Sequence, residues 1–122
     1  MRLALLALAI LAFAACGGGG EQSGPISIDD AIRADGQTVV VEGGIVAVDG
    51  GPVRLCSALL ESYPPQCGKP SLELRGLDLD SLELATSEGD PSVAGARWSD
   101  RPVRVRGTVA DGVLTVDSVL AS

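Results

Sequence analysis

Three cysteines, scattered carboxylates and a complete absence of histidine limit the chemistry open to this chain of 122 residues. Two of the cysteines, Cys56 and Cys67, share the stretch LCSALLESYPPQCGKP, residues 55–70. Such a pair serves as a covalent staple, as part of a metal site or as a reactive dithiol. Structural zinc takes about four ligands, usually Cys or His, and with no histidine present the set is not completed. Redox dithiols favour a CxxC spacing beside a helix N-terminus, and the gap between Cys56 and Cys67 is far wider. Among the acids, Asp78 and Asp80 lie close together, as do Glu88 and Asp90. A paired acid and base can hydrolyse a glycosidic bond. The competing reading makes Asp78 a helix cap and leaves the others as solvated surface. Glu88-Gly89-Asp90 lacks the ligand spacing of an EF-hand, so it would hold calcium only loosely. Ser57, Ser62 and Ser99 have no histidine to activate them, which excludes a Ser-His-Asp site. Lys69 is the sole lysine, and nothing in the sequence places a serine beside it. These residues point away from catalysis, and they call for no cofactor and no metal.

The positioning elements begin after an unusual N-terminus, MRLALLALAILAFAACGGGG. Arg2 is followed by an unbroken apolar run from Leu3 to Ala15. As a helix this run would reach about 20 Å, short of the roughly 30 Å of a bilayer's hydrocarbon core. A basic start, an apolar middle and small residues at the end mark an export signal over residues 1–15. Gly17 to Gly20 and the polar residues after them form a tether, so that residues 16–25 link the signal to a folded domain at 26–122. That remainder suffices for one small domain. Without the signal the chain carries 8 basic against 16 acidic side chains, Arg2 being the only charge removed. Such an acidic surface is repelled by phosphate backbones and by anionic lipid.

Phe13-Ala14-Ala15-Cys16 resembles the lipobox of bacterial lipoproteins, departing from the usual pattern only in having Phe13 where leucine is preferred. The resemblance implies that Cys16 carries a diacylglyceryl thioether and forms the mature N-terminus, anchored in a cell membrane on its extracytoplasmic face. Two or more acyl chains hold a protein firmly where one does not. With Cys16 committed to lipid, Cys56 and Cys67 are left in an oxidising compartment as an even pair, and a structural disulfide is expected. Closing a loop of this size contributes about 3 kcal/mol in the chain-entropy model.

Within the domain, Ser27 to Arg33 opens as a capped helix, with Ile28 and Ile32 at i, i+4 on one face and Asp35-Gly36 as its end. Thr38–Val48 reads as a long strand bent at Gly43-Gly44. Asp49-Gly50-Gly51 turns it into a second strand, 52–56, with Val53 and Leu55 inward and Arg54 outward. A short helical turn is expected at 57–61, followed by the Tyr63-Pro64-Pro65 corner. A third strand at 71–75 places Leu72 and Leu74 inward. A short helix at 78–85 puts Leu79 and Leu82 on the core, and 87–96 reads as a loop. Strands at 102–109 and 113–119 flank the Asp111-Gly112 turn, with Arg104 and Arg106 outward and Leu114 and Val116 inward.

This order resembles the OB-fold, an all-β, five-stranded Greek-key barrel. More narrowly it is similar to exported bacterial lipoprotein domains of that type. The likeness rests on Leu55-Cys56, Glu61 to Gly68, Gly76 to Leu79, Trp98-Ser99-Asp100 and Gly107-Thr108-Val109. OB barrels bind ligands across the second and third strands, which would place Arg54 and Arg75 on the binding face. Tyr63 and Trp98, the domain's only aromatic residues, join them as candidates. The competing expectation pairs the arginines with Glu42, Glu73 or Asp117 across strands and buries the two rings as packing. Nucleic acid is an unsuitable partner, because the charge has the wrong sign and stacking platforms are scarce. The expectation is a membrane-anchored, non-enzymatic module that binds a protein, peptide or glycan of the cell envelope. The alternatives are a carboxylate-based wall hydrolase and a structural accessory subunit of a membrane complex.

Overall fold

A computed structural model describes residues 24–87, 89–91 and 95–120. Residues 1–23, which hold the expected export signal, Cys16 and most of the expected tether, lie outside the described residues, as do residues 88, 92–94 and 121–122. Among the described residues no helix is long and apolar enough to cross a membrane.

The chain runs through α1 (Ile28–Ile32), β1 (Thr38–Val48), β2 (Val53–Cys56), β3 (Leu59–Leu60), β4 (Gln66–Cys67) and β5 (Ser71–Arg75). A 3-10 turn (Leu79–Ser81) then leads to β6 (Ala85–Thr86), β7 (Ala96–Trp98), β8 (Val103–Ala110) and β9 (Val113–Leu120). Seven strands form one mixed sheet in the order β2-β5-β9-β8-β1-β7-β6, and β3 pairs with β4 apart from it. Because β2 also pairs with β1, hydrogen bonds followed from β1 through β2, β5, β9 and β8 return to β1. Among the described strands only β5 and β9 run parallel, since the chain crosses over between them rather than turning back; an isolated bridge, Ile26 with Val41, is parallel as well.

Local chemistry explains the elements. The Ser27 hydroxyl accepts from the Asp30 amide at 3.0 Å and caps α1. At the β8–β9 turn Asp111 and Gly112 both have positive φ, 53° and 77°, the backbone a tight two-residue hairpin requires. Gly43 and Gly44 mark where β1 changes partners. Register with β8 ends at Gly43 opposite Val103, and register with β2 begins at Gly44 opposite Cys56. A Cβ on Gly43 would lie 2.6 Å from the Cys56 carbonyl oxygen, so the strands approach here only because the side chain is missing.

Ile28, Ala31, Val41, Ile45, Leu55, Leu72, Leu74, Val105, Val109 and Leu114 pack together as an aliphatic core. Of the residues expected to face inward on the strands at 52–56, 71–75, 102–109 and 113–119, Leu55, Leu72, Leu74, Val105 and Leu114 are buried in this core and Val53, Val103 and Val116 pack against it. Four expectations are corrected. α1 buries Ile28 and Ala31 while Ile32 is 39 % exposed, because a helix this short turns only one narrow stripe to the core. Residues 59–60 are a strand rather than a helical turn. The Cys56–Cys67 link and the proline corner double the chain back, so that Leu59 faces Cys67 and Leu60 faces Gln66. The helix expected over 78–85 is only the 3-10 turn. Beyond it Leu82 is extended, and Ala85-Thr86 pairs with Trp98 and Arg97 of β7. Finally, Ala96–Trp98, of which only the first residue fell within the loop expected at 87–96 and the rest was assigned to no element, forms the strand β7 and pairs with β1.

Candidate functional site

β1 and β2 have buried residues on both faces, and the outer face positions the candidate site. Ile45, Val46 and Ala47 are buried in succession, as are Leu55 and Cys56, which in strands means cover on both sides. Ile45 and Leu55 belong to the aliphatic core. Val46 and Cys56 instead join Ala96 and Trp98, with Leu59, Cys67 and Ala85 packed against them, in a second cluster outside the sheet.

Register places the members of this face in a row. Ala85 lies opposite Trp98, Trp98 opposite Val46, Val46 opposite Arg54, and Arg54 opposite Glu73. The row therefore runs from apolar through aromatic to basic and then acidic. Over its apolar end folds the segment between the cysteines. The disulfide joins Cys56 to Cys67 with the two Cα atoms 5.3 Å apart. The Ser62 hydroxyl donates to the Pro64 carbonyl at 2.8 Å and shapes the corner. Tyr63 stands with its ring edge-on to Trp98, centroids 5.9 Å apart and planes at 86°. Such pairs contribute about 0.5–1.5 kcal/mol beyond their buried area. Trp98 is buried by this arrangement, whereas Tyr63 stays 60 % exposed.

Between the corner and the sheet lies a groove of about 340 Å³. Val46, Val48, Pro52, Tyr63, Pro64 and Pro65 supply its apolar walls, and Arg54 is its one charged residue. Three of the four candidate residues thus meet here, with Arg54 and Tyr63 lining the groove and Trp98 supporting Tyr63 from below. Arg75 does not join them. Its Nε donates to the Glu73 carboxylate at 3.2 Å, along its own strand rather than across strands. That pairing engages Oε1 of the carboxylate facing Arg54, and among the described residues Arg54 makes no ion pair. The cross-strand pairing expected of the arginines is realised at Arg104, whose Nε reaches Glu42 at 3.1 Å.

The carboxylates have local tasks. Asp78 caps the 3-10 turn by accepting from the Asp80 amide at 3.1 Å, and Asp80 pairs with Arg97 at 3.1 Å. Among the described residues no group of three metal-ligating side chains occurs. Ser99 is buried, and its hydroxyl accepts from the Ile45 amide at 2.9 Å. A second depression, of about 710 Å³, lies beside Leu82, Asp100, Arg101 and Val119 and contains none of the candidate residues.

Val46, Val48 and Pro52 line the groove without having been singled out from sequence. The signal for the first was the apolar succession Ile45-Val46-Ala47, which breaks the in-out alternation. No family model, no curated protein and no solved structure matches the chain.

Proposed function

We propose that the chain is a lipid-anchored extracytoplasmic module with an OB-type barrel that binds a protein, peptide or glycan of the envelope and performs no catalysis. The barrel reading is supported by the closed circuit of pairings and by the parallel pairing of β5 with β9. In the OB-fold the binding face spans the second and third strands; with β2 and β5 taken as these, the groove borders β2 and has no lining residue from β5. The observation that carries the binding reading is the groove itself. An unpaired guanidinium and a largely exposed tyrosine line it, the tyrosine resting on a buried tryptophan and its segment closed by a disulfide. Val48 and Tyr63 are both exposed at this groove. Anchoring through Cys16 would hold the groove close to the membrane surface on a glycine tether.

Co-purification from native membranes tests the reading. The wild-type chain should retain a partner that Arg54→Ala combined with Tyr63→Ala releases, the variant still unfolding cooperatively with a melting temperature lowered only by the several degrees that loss of the Tyr63–Trp98 pair costs. Equal capture by the variant would remove the groove as the site. For the anchor, Cys16→Ser should leave the membrane fraction and lose the mass of the lipid. Its continued partition with membranes would contradict the lipoprotein reading.

A further inference from the structure

We infer that the groove recognises a short apolar peptide segment that carries one carboxylate, with Arg54 as the carboxylate's partner. This rests on the binding reading above and names the ligand's chemistry. Three observations carry it. The first is charge contrast. The chain has 16 acidic residues against 9 basic, yet no Asp or Glu lines the groove and one arginine does. In an acidic chain, a local patch of this kind selects a single negative group.

The second is that Arg54 is available. Glu73 sits directly opposite it but is engaged by Arg75 at 3.2 Å. A guanidinium offers a planar fork of donors that matches a carboxylate in bidentate fashion.

The third is the nature of the walls. Val46, Val48, Pro52, Tyr63 and the two prolines present hydrocarbon and one aromatic face. Gln66, Ser62 and the Tyr63 hydroxyl are the uncharged polar groups in the lining, and the Ser62 hydroxyl already donates to the Pro64 carbonyl. An anionic bilayer or a nucleic acid would be repelled by the acidic remainder of the domain. A short peptide with apolar side chains and a terminal carboxylate satisfies both the walls and the charge.

The experiment uses the full chain, purified in detergent and applied to an array of apolar hexapeptides. Each peptide is displayed once with a free C-terminal carboxylate and once as the amide. A set of peptides should bind as the acid and weaken about tenfold or more as the amide, the scale of a lost charge-assisted pair. Arg54→Gln should produce the same loss and make acid and amide equivalent, whereas Arg104→Gln, at a guanidinium paired with Glu42 away from the groove, should leave the preference intact. Equal binding of acid and amide, abolished by Tyr63→Ala, would overturn the carboxylate inference while leaving the binding site standing. If no peptide binds, the peptide inference falls. A photoreactive residue at position 63 that still captures an envelope component would then show that the binding reading survives it. Arg54-dependent binding to anionic lipid vesicles, with none to the array, would replace the peptide by a lipid headgroup and overturn the inference.

Discussion

The two apolar clusters of this domain sit back to back across β1 and β2 and are built differently. The inner one is wholly aliphatic, with Ile45, Leu55, Leu72 and Leu114 fully buried. The outer one contains the only disulfide among the described residues and the tryptophan against which the tyrosine rests. Burial of aliphatic area stabilises the inner cluster, at about 25 cal/mol per Å² removed from water. The outer cluster is too thin for that, and a cross-link and an aromatic pair hold it instead. A region that spends its covalent link and both its aromatic residues on shaping a groove, rather than on filling the core, is organised around that groove.

The contrast can be broken or sharpened by substitution. The largest effect belongs to the inner cluster. Leu55→Ala should cost about 2–5 kcal/mol, read as a lower midpoint in chemical denaturation. A loss below about 1 kcal/mol would mean that the inner core is loosely packed. Next comes Cys67→Ser, expected to cost about 3 kcal/mol. In hydrogen exchange it should deprotect the amides of β3 and β4 well before those of β8 and β9. Uniform deprotection would show that the two clusters unfold as one. Ser99→Ala leaves the Ile45 amide buried without its acceptor and should cost about 1–3 kcal/mol by thermal unfolding. The smallest effect is at the rim. Arg104→Ala breaks a half-exposed pair with Glu42 and should cost about 0.2–1 kcal/mol, an effect that added salt shrinks further. A larger, salt-insensitive loss would assign Arg104 a packing role.

The inner cluster was largely legible in the sequence. Strict alternation in VRLC, SLELR and VRVRGTV marks which residues turn inward, and Asp111-Gly112 fixes a turn that few other dipeptides make. The outer cluster was much less so. A two-residue strand such as β3 or β6 carries no periodicity of its own. Leu59-Leu60 pairs with Gln66-Cys67 because the disulfide and the proline corner bring them together, a long-range constraint that local pattern cannot express. For the same reason Arg54 and Arg75 looked equivalent on adjacent strands. Only the register, with Glu73 opposite one and engaged by the other, separates a free guanidinium from a satisfied one.

The central claim is that the outer groove, and not another face, is where the protein meets its partner. A photoreactive amino acid placed at position 63, and separately at position 119 beside the second depression, tests this in native membranes. A discrete adduct from position 63 that disappears with Arg54→Gln, and none from position 119, is the expected result. An adduct from position 119 alone, or one from position 63 that is indifferent to Arg54, would contradict it.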